Sequence, residues 1–225
     1  MRRPPVRFLV AAAAVLALAG CGGSSTNGID QLEPDAILTQ ARAAVDDASS
    51  VHVKGTIADG GNDLVLDLTL TADGGATGTL TNQGQTLTIL AVDGEAWLSA
   101  DAEFWTAQQA GSLLADQLAG KYVPIPKDDT TFTGFTDWST FWDNGLTPKG
   151  SVEKGDVTEY NGQQAQPLVQ AKDGGTLYIA LEGEPLPLGL DGGSGGSVTF
   201  EDWDADVTVT APAPEDVVDP SKLGG

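Results

Sequence analysis

The spacing of apolar residues along the chain changes several times. Between residues 34 and 50 apolar side chains recur every three or four positions, which predicts a helix over 34–48. From Val51 the period is two, which predicts strands joined by short glycine turns. The helical period returns over 101–145, and the alternation resumes after residue 150. The pattern therefore predicts a helix, about five strands, further helices and about six more strands.

Three rows of apolar residues are expected to share one face of the predicted sheet, because alternate side chains of a strand point the same way. The rows are Val51, Val53 and Ile57; Leu64, Leu66, Leu68 and Leu70; and Leu177, Ile179 and Leu181. The other face of the same strands is polar, with Asp67 and Thr69 as examples. Two hypotheses stay open: the rows line a pocket, or they pack against helices 34–48 and 101–119.

Two helical segments interrupt the strands. Asp101 is a suitable N-cap for a helix over 101–119, which Gly111 bends or divides. A second short helix is predicted over 136–145 and carries an aromatic stripe at positions i, i+3 and i+4. The stripe consists of Trp138, Phe141 and Trp142. We consider two roles for it: packing in the core, and a mobile lid at the mouth of a cavity.

The alternation after residue 150 predicts a second group of strands. Their ranges are about 150–160, 163–171, 175–181, 185–191, 196–203 and 206–211. This order of elements is typical of α+β proteins, in which helices collect on one side of an antiparallel sheet. The apolar face of such a sheet has to be covered, either by helices or by a ligand.

The first 21 residues have the features of a bacterial lipoprotein signal. Three arginines precede an apolar run over 8–19, which is too short to span a bilayer. The run leads to Leu-Ala-Gly-Cys, the lipobox pattern, and Cys21 is the only cysteine of the chain. We therefore predict a lipid anchor on Cys21 and a location outside the cytoplasmic membrane. The predicted divisions are a signal peptide (1–20), anchor and flexible tether (21–33), one domain (34–211) and a flexible tail (212–225).

The charge balance narrows the possible partners. Without residues 1–20 the chain keeps eight Lys and Arg residues against 32 Asp and Glu residues, a formal charge of −24. Nucleic-acid binding depends on Lys and Arg neutralising phosphates, so this composition argues against it. With Cys21 acylated, the folded part has no thiol left for catalysis, zinc ligation or disulfides.

Motifs for catalysis or metal binding are weak. The single histidine, His52, points away from the apolar face, and no nucleophile or orienting group is marked for it. Asp202, Asp204 and Asp206 alternate, but an EF-hand loop would need Gly at position 207 and Glu at position 213, where Val and Ala stand. We therefore predict no catalytic residue, no metal site and no cofactor.

Six segments of the chain resemble a known family. They are SVHVKGTI, DLTLTADGGATGTL, DGEAWLSADAEFW, LAGKYVPIP, DGGTLYIALEGEPLPLGL and GSVTFEDWDADVTVTAP. Together, over about residues 34–212, they resemble the LppX/LprG lipoproteins of actinobacteria, which are similar to the LolA/LolB carriers. The resemblance implies a half-barrel, a large curved antiparallel sheet with helices on its concave side.

The resemblance also implies a function. Its members enclose the acyl chains of lipids or glycolipids in an apolar cavity, so the three rows and the aromatic stripe become cavity and lid candidates. The implied partners are a lipid or glycolipid ligand and the cytoplasmic membrane, with a membrane transporter as a further candidate. The alternative is a scaffold, sensor or partner-binding lipoprotein of the same fold with a filled core.

Overall fold

The computed structural model describes residues 26–59, 61–108, 110–129, 132–172 and 174–219. The predicted signal peptide and the anchor residue Cys21 lie outside the described residues. The structure confirms an α+β fold, with a large curved antiparallel sheet and helices on its concave side.

Twelve strands form one open sheet. In chain order they are β1 (Ser50–Asp59), β2 (Asn62–Thr71), β3 (Ala76–Asn82), β4 (Gln85–Val92), β5 (Glu95–Ala100), β6 (Val123–Pro124), β7 (Val152–Lys154), β8 (Thr158–Tyr160), β9 (Gln163–Gln170), β10 (Thr176–Ala180), β11 (Pro187–Asp191) and β12 (Gly196–Glu201). In space their order is β6-β5-β4-β3-β2-β1-β12-β11-β10-β9-β7, and β8 also pairs with β9. Two meanders therefore meet where β1 pairs with β12.

The register of the strands places the apolar rows side by side. Val51 lies opposite Leu70 and Val53 opposite Leu68, so the first two rows pack across one hairpin. Gly55 and Gly78 have φ values of 154° and 145°, and a Cβ at either position would collide with the backbone of the neighbouring strand. Glycine at these two points permits the close strand approach of a bent sheet.

Within the described residues, five α-helices accompany the sheet. They are α1 (Pro34–Asp47), α2 (Ala102–Ala107), α3 (Ser112–Leu118), α4 (Thr133–Thr136) and α5 (Trp138–Leu146). The predicted helix 34–48 is confirmed. The predicted helix 101–119 is divided into α2 and α3, with Gly111 immediately before α3. The predicted helix 136–145 is α5, and α4 precedes it as a separate turn.

The helices pack into two clusters. The main core lies between the sheet and α1 and α5, and it includes Ile37, Val45 and Trp142. Helices α2 and α3 form a separate small cluster around Trp105 and Leu118. The hypothesis that the apolar rows pack against 34–48 is therefore right. It is wrong for 101–119, because α2 and α3 cover a different part of the sheet.

Several predicted strand limits are wrong. The predicted strand 150–160 is two strands, β7 and β8. Between them the three residues 155–157 lie opposite only two residues of β9, although the Gly155 N–H still donates to the Pro167 carbonyl. The predicted strand 196–203 ends at Glu201, since Asp202 and Asp204 have positive φ values of 50° and 57°. Residues 206–211 form no strand.

The segment after β12 runs back along the domain. The Ser50 hydroxyl donates to the Ala205 carbonyl at 2.8 Å, and Val217 forms a parallel bridge with Tyr122. Lys121 Nζ lies 2.8 Å from a carboxylate oxygen of Asp216. This part of the predicted tail therefore lies against β6 and the small cluster.

Residues 26–33, predicted as part of a flexible tether, lie against the sheet. Ile29 is completely buried in the main core, and the Asn27 N–H donates to the Leu181 carbonyl at 2.8 Å. We call residues 22–33 the leash. The leash reaches the end of the sheet where Ser50 pairs with Thr71, and we call this the leash end.

The strands are antiparallel, so successive turns alternate between two ends of the sheet. The leash end also carries the turns at 72–75, 93–94, 181–186 and 202–204. The opposite end, which we call the far end, carries the turns at 83–84 and 192–195.

Candidate functional site

The structure brings all ten predicted cavity residues together. Each belongs to the main core or packs directly against it. Eight of them are at most 7 % exposed, and the other two, Ile57 and Leu64, are partly buried. The apolar rows therefore form one continuous face on the side of the sheet that α1 and α5 cover.

Little empty space lies beneath α1 and the end of α5. A gap of about 20 Å³ separates Leu38 and Leu146 from Leu168, Leu177 and Leu190. A space of this size holds about one water molecule, not an acyl chain. In this conformation the apolar face is filled by protein side chains.

The aromatic stripe of α5 packs against the start of the C-terminal segment. The ring centroid of Trp142 lies 5.2 Å from that of Trp203, with the rings stacked, and 4.9 Å from that of Phe200. Trp142 is 1 % exposed, and its Nε1 has no hydrogen-bond partner among the residues that the structure describes. Trp138 and Phe141 are only partly buried. Of the three predicted lid residues, Trp142 is thus a core residue, and the other two lie at the edge.

Two residues of this cluster, Phe200 and Trp203, were missed by the sequence analysis. Phe200 continues the inward row of β12, two residues after Val198, which is a signal that the alternation contains. Trp203 lies among aspartates in a turn, and its Nε1 donates to the Pro187 carbonyl at 3.0 Å. No periodic pattern marks such a residue, because its contacts are made across the sheet.

A larger cleft lies beside α4 at the leash end. Its volume is about 540 Å³, and we call it the Phe132 cleft. Its apolar lining consists of Ala91, Ala96, Ile125, Pro126 and Phe132. Ala91, Ala96 and Phe132 are also part of the main core or pack against it, so the floor of the cleft is continuous with the core. This volume falls within the range of small-molecule sites, roughly 300–1,000 Å³.

The rim of the Phe132 cleft is polar. Its charged residues are Asp73, Glu95, Lys127, Asp129 and Asp137. An apolar floor with a polar rim suits an amphiphile, which places its chain on the floor and its headgroup at the rim. Lys127 is the one cation among the lining residues.

Asp137 joins α4 to α5 and caps the second helix. Its Oδ1 accepts the Thr140 N–H at 2.8 Å. Hydrogen bonds from Thr140 hold the pKa of the Asp137 carboxyl below its usual value, with a smaller contribution from Ser139. The cap therefore fixes the position at which the aromatic helix begins.

A second cleft, of about 490 Å³, lies at the same end beside β9 to β12. We call it the Trp203 cleft, and its apolar wall is formed by Ala180, Leu186, Leu188, Phe200 and Trp203. Its lining also contains four carboxylates and no lysine or arginine. The carboxylates are Glu182, Glu184, Glu201 and Asp202. The mouth of this cleft is strongly negative at neutral pH.

His52 lies on the face opposite the core, as predicted. Its Nε2 is 2.8 Å from Asp67 Oδ1, and its Nδ1 is 3.8 Å from Asp202 Oδ2. The hydrogen bond from His52 lowers the pKa of the Asp67 carboxyl. Both ring nitrogens thus face carboxylates.

Asp204, after β12, connects its turn to the residue before β1. Asp204 Oδ1 accepts hydrogen bonds from the Ser49 N–H at 2.7 Å and from the Ser49 hydroxyl at 3.0 Å. Within the part of the chain that the structure describes, no three His, Cys, Asp or Glu side chains form a group that could hold a metal ion.

Comparison with known proteins supports the fold. No family model matches the chain, and no curated protein matches it in sequence. The crystal structure of LprF from Mycobacterium bovis is similar over 85 % of this chain and 100 % of that chain, with 16 % identity and a TM-score of 0.53. LprF falls within the LppX/LprG group, so the predicted resemblance is confirmed for the fold.

A weaker similarity concerns MucB, solved in complex with MucA(peri). It covers 80 % of this chain and 57 % of that chain, with 17 % identity and a TM-score of 0.36. This TM-score is too low to define a common fold.

Among the described residues, no helix is long and apolar enough to cross a membrane.

Proposed function

We propose that this protein is a lipid-anchored lipoprotein of the cell envelope that binds the acyl chains of a lipid or glycolipid and carries or presents them. The acyl chain lies in the Phe132 cleft, and its distal part reaches toward the core beside α4 and α5. Cys21 carries the anchor, outside the cytoplasmic membrane. No catalytic step is part of this function.

The continuity between the Phe132 cleft and the core is the observation that carries the proposal. A surface cleft with a polar floor would suit many ligands. Here Ala91, Ala96 and Phe132 belong at once to the cleft and to the apolar interior. A chain of methylenes laid along these three residues lies against side chains that are continuous with the core.

The energetics favour such binding. Each methylene removed from water contributes about 0.8 kcal/mol, so a buried segment of ten methylenes contributes roughly 8 kcal/mol. The opposing cost is a displacement of α4 and α5, of which α4 is a single turn and α5 spans nine residues. Helix α4 has no fully buried side chain and opens locally at low cost, whereas the displacement of α5 is restricted by its buried Trp142 and Leu146.

The test is mass spectrometry of the protein without its own acyl anchor. Residues 21–225 with Cys21→Ser, produced in a secreting host, remove the anchor as a source of fatty acid. Native spectra should show a stoichiometric lipid adduct, and solvent extraction should release it. A mass equal to the bare chain, unchanged after incubation with diacylglycerol and phospholipid, would contradict the proposal.

A second function is favoured by the filled core. Eight of the ten cavity candidates are already buried against protein, and the gap beneath α1 holds no more than a water molecule. A scaffold or partner-binding lipoprotein of the same fold needs no empty interior. The bare mass described above is the result that this second function predicts.

A further inference from the structure

The leash is bound to one end of the sheet by specific contacts. The Asn27 side-chain Nδ2 donates to the Ala180 carbonyl at 2.9 Å and to the Gly183 carbonyl at 3.1 Å. Its backbone N–H donates to the Leu181 carbonyl at 2.8 Å. Three hydrogen bonds thus hold Asn27 at the 181–186 turn.

The next residues are held as firmly. Ile29 is completely buried in the main core, and Leu32 packs against the same core. Lys154 Nζ donates to the carbonyls of Asp30 at 2.8 Å and of Leu32 at 3.1 Å. Burial of an isoleucine side chain contributes roughly 1.5–3 kcal/mol, so release of this segment is unfavourable.

The stretch of sequence between Cys21 and the bound Asn27 is short. Six Cα–Cα steps separate Cys21 from Asn27 in the sequence. A fully extended chain covers at most about 3.3–3.6 Å per residue, so Asn27 lies within roughly 20 Å of the anchor residue. If the leash were free up to Pro34, it would reach about twice as far.

The Phe132 and Trp203 clefts both open at the end of the sheet to which the leash is bound. Glu182 and Glu184 line the Trp203 cleft and adjoin the carbonyls that hold Asn27. The Phe132 cleft is lined by the turns at 73–74 and 94–95, which belong to the same end. A bilayer close to Asn27 is close to both openings.

The net charge of the chain affects the orientation of the domain relative to the membrane. Without residues 1–20 the chain has a formal charge of −24, so an anionic bilayer repels it. The leash holds one end of the domain near the surface, and repulsion moves the rest away. The far end of the sheet is therefore the most distant part.

From these observations we infer that the leash end of the sheet faces the bilayer, with the Phe132 and Trp203 clefts directed toward the membrane surface. The partner of this surface is the lipid bilayer that holds the anchor. The inference rests on the proposed function in one respect, the acyl anchor on Cys21. It does not require that a lipid occupies either cleft.

The test uses the full lipidated chain on vesicles of phosphatidylethanolamine and phosphatidylglycerol. Because Cys21 is the only cysteine and is acylated, an introduced cysteine is the only free thiol for a fluorophore. Glu184→Cys and Ser194→Cys label the two connections that flank β11, both at exposed positions. The sites are roughly 25 Å apart along the strand direction.

A quencher on the lipid headgroups should quench the label at position 184 severalfold more than the label at position 194. Equal quenching, or stronger quenching at position 194, would overturn the inference. If the lipidated protein does not float with the vesicles, the inference is overturned as well, together with the predicted acyl anchor on Cys21. A bare mass in the lipid-adduct experiment would leave the quenching difference unchanged, so the two failures are distinguishable.

A second variant tests the length argument without touching the folded domain. Twelve Gly and Ser residues inserted between Ser25 and Thr26 leave the contacts of Asn27 and Ile29 in place. The longer leash should lower the quenching at position 184 to near that at position 194. Unchanged quenching would show that leash length does not orient the domain, and would overturn the inference.

Discussion

Two groups of helices, α1 and the pair α4 and α5, cover the same apolar face of the sheet, and we call them the two covers. They are built from different residues. Helix α1 has 14 residues, and the side chains that it buries are aliphatic and mostly small: Ile37, Ala41, Ala44 and Val45. Helices α4 and α5 have four and nine residues and contact the core through large aromatic rings. An ion pair between Arg42 and Asp143 connects the two covers at the surface.

This difference has consequences for the space beneath each cover. Small side chains let α1 approach the sheet closely, and the gap between α1, the end of α5 and the sheet is about 20 Å³. Aromatic rings hold α4 and α5 at a few points, and the Phe132 cleft lies beside them. We expect α1 to be a permanent part of the core and α4 with α5 to be the part that responds to ligand.

The largest expected effect concerns stability. Trp142→Ala should lower the free energy of unfolding by about 3–5 kcal/mol, because it removes a buried ring that contacts Phe200 and Trp203. Ile37→Ala should cost about 2–5 kcal/mol for the same reason. Trp138→Ala, at the partly buried edge, should cost no more than about 2 kcal/mol. Urea unfolding measures all three values.

Lipid uptake per folded molecule then separates the covers. Trp138→Ala should lower it severalfold, whereas Ile37→Ala should leave it unchanged despite the larger loss of stability. Equal loss of uptake in both variants would mean that uptake follows stability alone. The difference in composition between the two covers would then have no effect on lipid uptake.

The next effect concerns binding in the cleft. Ala96→Phe places a ring on the floor of the Phe132 cleft and should weaken acyl-lipid binding about tenfold, since the ring occupies the position of the chain. Val65→Phe is the matched control, because Val65 is 44 % exposed on the opposite face of β2. Titration with a fluorescent fatty acid gives both affinities. Equal affinity in the two variants would exclude the Phe132 cleft as the acyl site.

A smaller effect is expected at the joint between α4 and α5. Asp137→Ala removes the cap of α5 and should lower the free energy of unfolding by about 1 kcal/mol at pH 7. Asp137→Asn still accepts the hydrogen bond from Thr140 and should lower it by only a few tenths of a kcal/mol. The pKa of Asp137 is lowered in the folded state, so its contribution is complete above the unfolded pKa, near 3.8. It is lost as the pH falls through the lower folded pKa.

Urea unfolding from pH 7 to about pH 2.5 checks this prediction. The stability difference between the wild type and Asp137→Asn should shrink below about pH 4, because the carboxyl of Asp137 is then protonated in the unfolded state while it is still ionised in the folded state. A difference that stays constant over this range would show that the charge of Asp137 does not contribute.

The smallest effect concerns the headgroup. Lys127→Gln should weaken binding of a lipid with a phosphate headgroup a fewfold, because an exposed ion pair contributes at most about 1 kcal/mol. Binding of diacylglycerol, which has no charge, should not change. Competition between the two lipids measures this preference, and an equal loss for both would assign Lys127 a purely structural role.

Local periodicity accounts for what the sequence could predict. The alternation at Leu64 to Leu70 predicted a strand with one apolar face, and the register confirms that face. The helical spacing around Ile37 predicted α1. The turns after Asn82 and Val92 were marked by glycine, and they join β3 to β4 and β4 to β5.

Contacts between distant segments account for what was missed. Ile29 and Leu32 are the two large apolar residues of an otherwise polar segment, and two residues establish no period that would indicate burial. Trp203 stacks on Trp142 only because β12 ends beside α5. The Phe132 cleft joins residues from β4, β5 and α4, and neither its volume nor its continuity with the core follows from local pattern.

Hydrogen exchange of the two covers, with and without bound acyl lipid, tests the central claim most directly. Without lipid, the amides of α5 should exchange faster than those of α1, because fewer of its side chains are fully buried. Bound lipid should slow exchange in α4 and α5 severalfold and leave α1 unchanged. Exchange that does not respond to lipid, or that slows equally in α1 and α5, would contradict the account.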